Sequence, residues 1–130
     1  MDLIAIHPEP DGQVKVRIRK HEIGMERSLA EGGLDGAVSP VEMMAAALGA
    51  CIGLMVNEYC ARNGYQDGPV SVFLHFQMGD SPKRVQSIAI DLEIPKDVPE
   101  EKKEAIRRIA RHCPVHQTLH LPPQIDLDII

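Results

Sequence analysis

The feature that most constrains the fold of this chain is an apolar run from Met43 to Val56 with no charged or polar side chain. The segment before it, Ser39-Pro40-Val41-Glu42, has the Ser-x-x-Glu pattern of a helix capping box, and Asn63-Gly64 provides a stop. A helix that is apolar all round has to be buried on every side. The run falls short of the about 18 apolar residues that span a bilayer. The pattern therefore predicts a central, buried core helix.

The length and charge of the chain limit its class. We predict a single domain over residues 1–130, because this length fits one domain of ordinary size. The net charge of -5 argues against a nucleic acid or an anionic membrane as partner. The start Met1-Asp2-Leu3-Ile4 lacks the basic region and long apolar segment of a signal peptide, so we expect a cytoplasmic protein. In that reducing compartment, three cysteines are more typical of reactive thiols than of structural disulfides.

Alternating apolar and polar residues predict strands on both sides of the central helix. These strands are expected at residues 3–7, 14–18 and 23–29, in a hairpin with stripes at 70–78 and 88–94, and at 125–129. Pro99-Glu100-Glu101 begins a second helix, which carries Cys113 on its apolar face and is interrupted by Pro114. The order of elements predicts an α+β fold with a largely antiparallel sheet.

The positions of the cysteines limit which thiols can pair. Cys51 and Cys113 each lie on an apolar helix face that we expect to point inward. Cys60 follows Cys51 by nine residues, which at about 100° per residue puts it on the opposite side of the helix. Cys51 and Cys60 cannot bridge within one straight helix, so a dithiol pair, if there is one, is Cys51 with Cys113. The alternative is that all three are small core residues made inert by burial.

A reactive Cys51 would need a cation to lower its thiol pKa, because it lies about three turns inside the helix, beyond the dipole's reach. Arg27 is the first candidate and Arg17 and Arg19 follow, with Glu42 able to orient the arginine. Glu42 precedes Cys51 by nine residues and so faces the other side of the helix. A shared site is therefore easier to build across two subunits. The alternative is that Glu42 is only a capping-box residue.

A second group of candidate side chains is His112-Cys113-Pro114-Val115-His116 with His120. Cysteine and histidine at such spacings could bind zinc. Pro114 breaks the helix, however, so the two nearer histidines need not share a face, and no carboxylate lies beside them. The alternative is that these histidines are local polar or helix-end residues.

Two motifs resemble signatures of the OsmC/Ohr superfamily. Residues Ser39-Pro40-Val41-Glu42 through Cys51 are similar to its Pro-x-Glu-(apolar, small)-Cys segment. Cys113-Pro114-Val115-His116-Gln117-Thr118-Leu119 resembles its second signature, Cys-Pro-Val-x-x-x-Leu. The resemblance covers the chain from about Gly32 onward, with the hairpin between the motifs. It implies an OsmC-like α+β fold with a long central buried helix and a second helix, in an intertwined homodimer with sites at the interface.

The resemblance also implies a function, that of a thiol peroxidase for organic hydroperoxides. In that function Cys51 matches the peroxidatic cysteine, Cys113 the resolving cysteine and Glu42 the acid that holds an activating arginine, for which Arg27 is the best match. The Cys51 thiolate would be oxidised to a sulfenic acid, Cys113 would condense with it, and an external dithiol would reopen the disulfide. No metal or organic cofactor is needed.

Two other hypotheses are kept. The first is a non-catalytic dimer of the same fold that binds an apolar ligand or senses redox state through its thiols. The second is zinc binding through Cys113, His116 and His120.

Overall fold

The computed structural model describes residues 3–130, which form five strands, three α-helices and two short 3-10 turns. In chain order the elements are β1 Ile4–Pro8, β2 Gln13–Ile18, β3 His21–Glu26, a 3-10 turn Leu29–Glu31, α1 Pro40–Arg62, β4 Ser71–Gly79, β5 Arg84–Glu93, a 3-10 turn Glu100–Lys102, α2 Lys103–Arg111 and α3 Pro114–His120. The chain divides into two compact units, Met1–Met44 and Ala45–Ile130. The predicted α+β class with antiparallel pairing is confirmed.

The N-terminal unit contains a three-stranded antiparallel sheet in the order β1-β2-β3. The alternation in β2 has the predicted effect, since Val16 is buried while its neighbours Lys15 and Arg17 are exposed. Strand β3 ends at Glu26, earlier than the predicted end at Leu29, because the chain turns into the short 3-10 helix there. This sheet is separate from the β4–β5 pair, so the single sheet expected from the sequence is two sheets in the described chain.

The loop between β3 and α1 is stabilised by hydrogen bonds to a buried glutamate. Glu26 is 7% exposed, and its carboxylate accepts hydrogen bonds from the backbone N–H groups of Leu34, at 2.6 Å, and Gly36, at 3.3 Å. Gly33 is required in this loop, because an added Cβ would lie 1.8 Å from the carbonyl oxygen of Arg27. The loop conformation therefore depends on one carboxylate and one position without a side chain.

Both predicted ends of the central helix are confirmed. The Ser39 N–H donates to Glu42 Oε1 at 2.9 Å and the Glu42 N–H donates to Ser39 Oγ at 3.2 Å, which is the reciprocal pattern of a capping box. At the other end, Gly64 has a positive φ of 74°. The Tyr65 N–H bonds to the Cys60 carbonyl and the Gly64 N–H to the Ala61 carbonyl, which together form a Schellman motif.

A single chain covers α1 on one side only, as expected for an apolar helix that a monomer of this size cannot cover on all sides. One face is buried through Ala45, Leu48, Ile52, Val56 and Cys60, but Leu54 on another face is 74% exposed. The reason is that one chain supplies too few elements to cover the whole circumference. The helix is also longer than the apolar run, and by length and composition alone its 23 residues would suffice to cross a membrane, a test that core helices of soluble proteins also pass.

In the C-terminal unit, α1 lies close to the predicted hairpin. Strands β4 and β5 are antiparallel, with Val72 opposite Leu92 and Leu74 opposite Ile90. A Cβ added at Gly49 would lie 2.9 Å from Leu74 Cδ2, so the absence of a side chain there permits the close approach. Gly49 and Gly53 thus allow the hairpin to approach α1 closely.

The C-terminal part of the chain differs from its prediction in two ways. Pro114 ends the second helix but also begins a third, α3, because proline is well suited to a first helical position. The strand expected at residues 125–129 is not formed, and Ile125, Leu127 and Ile129 are more than four-fifths exposed. A strand needs a partner for its backbone hydrogen bonds, and none pairs with this segment in the described chain.

Candidate functional site

The structure brings Cys51 and Cys113 together. Cys51 lies in α1 and is partly exposed, whereas Cys113 is fully buried at the N-cap of α3. Both are free thiols, and they lie close enough for Cys51 to raise the pKa of the Cys113 thiol. Cys113 was expected inside the second helix, but α2 ends at Arg111 and Cys113 has an extended backbone. The resulting bend points its sulfur toward Cys51 and into the core.

The environment of Cys113 keeps its proton in place. Burial is the main reason that the pKa of the Cys113 thiol is raised, and the neighbouring Cys51 side chain raises it further. The backbone N–H of His116 acts in the opposite direction, since it donates to Cys113 Sγ at 3.2 Å. The net effect favours the protonated form of the Cys113 thiol.

Cys60 is separated from this pair. It is 2% exposed in the core cluster with Ile52, Val56 and Ile106. Burial, followed by the nearby Asp97 carboxylate, raises the pKa of the Cys60 thiol. A buried thiol with a raised pKa is a poor nucleophile. Cys60 is placed as a core residue.

The other two predicted site residues, Glu42 and Arg27, are not paired with each other in the described chain. Glu42 forms the capping box, and the Ser39 N–H, followed by the Ser39 hydroxyl, lowers the pKa of its carboxyl group. Arg27 follows β3, is exposed and has no ion pair with a described residue. Of the other candidate cations, Arg17 donates to Glu22 at 2.9 Å. The roles assigned to Glu42 and Arg27 stay predictions.

The histidines near Cys113 do not form a metal site among residues 3–130, where no cluster of three or more metal-binding side chains occurs. His112 instead contacts the Arg108 carbonyl through Nδ1 at 2.6 Å, as a helix-end residue does. His116 Nδ1 is buried without a hydrogen-bond partner in the described chain. The zinc hypothesis therefore has no support from the geometry.

Sequence reasoning missed one residue that shapes the approach to α1, the buried acid Glu26. Its pKa is lowered chiefly by the Leu34 N–H and then by the Gly36 N–H. The signal that could have found it is the glycine-rich loop 32–36 directly after a strand-terminal acid, because loops of this kind leave backbone N–H groups that need acceptors.

The structure thus combines an antiparallel α+β fold with two neighbouring thiols, one on a long apolar helix and one directly before a helix that begins with proline. The sequence model described as OsmC-like protein matches residues 32–128, and the chain belongs to this family. No curated protein gives a significant sequence match.

Solved structures agree with the fold. A Psychrobacter arcticus 273-4 protein, named for osmotic stress induction and a detoxification response, has a TM-score of 0.81 at 17% identity, over 91% of this chain and 88% of that chain. An organic hydroperoxide resistance protein OsmC from Legionella pneumophila has a TM-score of 0.71 at 18% identity, over 92% and 88%. An organic hydroperoxide resistance protein from Elizabethkingia anophelis has a TM-score of 0.68 at 19% identity, over 89% and 87%. At these identities the likeness shows the fold.

Proposed function

We propose that this protein is a thiol peroxidase that reduces organic hydroperoxides, with Cys51 as the peroxidatic and Cys113 as the resolving cysteine. The observation that carries the proposal is that a partly exposed Cys51 and a buried Cys113 lie close together in the fold. Two of the similar structures are named organic hydroperoxide resistance proteins, which supports hydroperoxides as the substrate class.

The proposed reaction has three steps. The Cys51 thiolate attacks the distal peroxide oxygen, the O–O bond breaks, and the alkoxide takes up a proton and leaves as an alcohol, so that Cys51 becomes a sulfenic acid. Cys113 then attacks the Cys51 sulfur and water leaves, which forms the disulfide. An external dithiol restores both thiols by exchange and is itself oxidised. The raised pKa of Cys113 suits this order, because the resolving thiol keeps its proton until Cys51 has reacted.

Activation of Cys51 requires a cation, and we propose Arg27 held by Glu42. Glu42 uses Oε1 for the Ser39 N–H, and a carboxylate has a second oxygen that can accept from a guanidinium group. Arg27 is exposed and has no carboxylate partner in the described chain, so it is available. Because Glu42 and Cys51 face opposite sides of one helix, the proposal places these groups at an interface of two subunits.

A homodimer is part of the proposal. Leu54 is 74% exposed, and Ala46, Ala47 and Ala50 are exposed on the same helix, so a wholly apolar segment lacks cover in one chain. A second copy would remove this surface from water and complete the site. We further propose a cytoplasmic location, where dithiol reductants are kept reduced.

The experiment that tests the proposal measures consumption of cumene hydroperoxide, tert-butyl hydroperoxide and hydrogen peroxide with a dithiol as reductant. Cys51→Ser should abolish turnover, and Cys113→Ser should stop at the sulfenic acid, which a sulfenic-acid trap detects by mass. Cys60→Ser is the matched control and should turn over normally. Slow oxidation without turnover would indicate a redox sensor, and the same rates in Cys51→Ser protein would disprove the proposed role.

A further inference from the structure

The C-terminal unit contains a cleft of about 510 Å3 that the thiol chemistry does not use. This volume is typical of small-molecule sites, which are concave and mostly apolar. Its apolar lining consists of Ile52, Ile90, Leu92, Ile94, Ile106 and Ala110. The cleft thus brings together side chains of α1, β5 and α2 and the residue that follows β5.

The α2 side of the cleft carries cations at a regular spacing. Lys103, Arg107 and Arg111 are four residues apart, so all three lie on one side of the helix and line the cleft. Ile106 and Ala110 lie between them on the same side. Asp91 is the one carboxylate among the described lining residues, and His116 completes the polar lining. The residues that line the cleft therefore combine an aliphatic floor with three cations and one carboxylate.

Each of these three cations has a carboxylate partner, and these ion pairs lie at the surface. Arg107 and Arg111 share one carboxylate, Glu104, at 3.0 and 3.8 Å, and Lys103 contacts Glu100 at 2.7 Å. The two arginines are exposed at 61% and 62%, where ion pairs contribute little to stability. Each guanidinium carries five N–H donors in a planar fork that suits a carboxylate. Donors therefore remain for a ligand.

We propose that this cleft binds an amphipathic anion, a medium-length or long alkyl chain that ends in a carboxylate. The chain lies on the aliphatic floor, and the carboxylate is held by Arg107 and Arg111. The argument rests on charge complementarity and on the apolar lining, so it goes beyond the peroxidase proposal and does not depend on it. The cleft adjoins the thiol pair, because Ile52 follows Cys51 in α1 and His116 donates its N–H to Cys113.

The experiment is isothermal titration calorimetry of the full chain with decanoate and with decylammonium, which have the same alkyl length and opposite charge. We expect decanoate to bind at one site per chain and decylammonium to bind at least about ten-fold more weakly. In the double variant Arg107→Gln/Arg111→Gln, the affinity for decanoate should fall about ten-fold, because charge-assisted hydrogen bonds are lost. The preference for decanoate over decylammonium should disappear.

Two further variants serve as controls. Arg108→Gln removes the same charge from the same helix, but Arg108 does not line the cleft, so affinity should not change. Ala110→Leu places a larger side chain in the apolar floor of the cleft and should lower the affinity for both ligands. Cys51→Ser should leave binding intact, which separates this site from the peroxidase proposal.

Four results would overturn the proposal: no binding of decanoate at millimolar concentration, equal affinity for the two ligands, an equal loss in Arg108→Gln, or a changed mass in solution for the double variant. The last result would identify the cleft as a contact between copies of the chain.

Discussion

The side chains of Cys51 and Cys113 lie close together in the fold although 62 positions separate them in the sequence. Their proximity is made possible by the bend at Pro114, which takes Cys113 out of α2 and places it at the start of α3.

We expect one equivalent of an alkyl hydroperoxide to produce a Cys51–Cys113 disulfide, because these thiols lie close together and Cys60 is on the opposite side of α1. Peptide mapping by mass spectrometry, after rapid alkylation of the remaining thiols, identifies which cysteines form the disulfide. Cys60→Ser protein should form the same bridge at the same rate. A main intramolecular bridge that contains Cys60 would contradict the expectation.

The second prediction concerns activation of Cys51. Arg27→Met should slow alkylation of Cys51 near neutral pH and raise the pH at which its rate is half-maximal, because the thiolate loses its cation. Glu42→Gln should have a milder effect, because the cation remains. Arg62→Met, which removes an exposed arginine at the end of α1, is the control. An unchanged pH profile in Arg27→Met would exclude Arg27 as the activating cation. Arg17 and Arg19 would then be the next candidates.

Mixed dimers test whether Glu42 acts across the interface. Combining Cys51→Ser chains with Glu42→Gln chains would create one site with both lesions and one with neither. Such a mixture should recover activity that neither parent shows in full. Activity equal to the average of the parents would place Glu42 and Cys51 in the same subunit's site.

The third prediction concerns the capping box. Ser39→Ala should lower the free energy of unfolding by about 1 kcal/mol, because the Glu42 N–H loses its acceptor. Ser28→Ala is a matched control, since Ser28 precedes a 3-10 turn without a side-chain cap bond. Urea denaturation of both variants measures the difference. Equal losses would show that the Ser39 effect is not due to the cap.

A pH dependence should come from Glu26. Its pKa in the folded state is below the ordinary 4.5, so its stabilising effect is fully present above that pH and is lost as the pH falls through the folded pKa. Glu26→Gln should lower stability at pH 7 and flatten the decline of stability in acid. Urea denaturation between pH 7 and about pH 3 tests this, with exposed Glu101→Gln as the control. An unchanged acid slope would contradict it.

The fifth prediction concerns the proposed dimer. Leu54→Lys should lower the mass in solution to that of one chain, because a charge would enter an apolar contact. Leu34→Lys, at a side chain that is 84% exposed in a loop, should leave the mass unchanged. Sedimentation or light scattering reads the outcome. A wild-type mass of one chain would show that the exposed face of α1 is not a dimer contact.

Local patterns predicted much of this structure. The start of α1 could be predicted because its capping box lies within four consecutive residues, from Ser39 to Glu42. Its end could be predicted because Gly64 readily adopts the positive φ that stops a helix. The thiol pair could be anticipated because helix periodicity excludes Cys60.

Features that depend on distant or external partners could not be predicted. The carboxylate of Glu26 is buried by N–H groups eight and ten positions away, in a loop whose shape no periodicity describes. The segment around Ile125 to Ile129 alternates as a strand does, but alternation does not provide a neighbour to pair with. For the same reason, the apolar run of α1 indicates that its whole surface must be packed against other residues. It does not indicate whether those residues belong to the same chain or to a second one.

The burial of Cys60 has a practical consequence for all of these variants. A reagent that alkylates thiols can reach this sulfur only when the core opens, so its rate of modification reports the local unfolding equilibrium. Modification of Cys51, in contrast, reports the state of the candidate site. One alkylation time course, resolved by peptide, therefore distinguishes a variant that has lost its reactive thiolate from one that has lost its folded core.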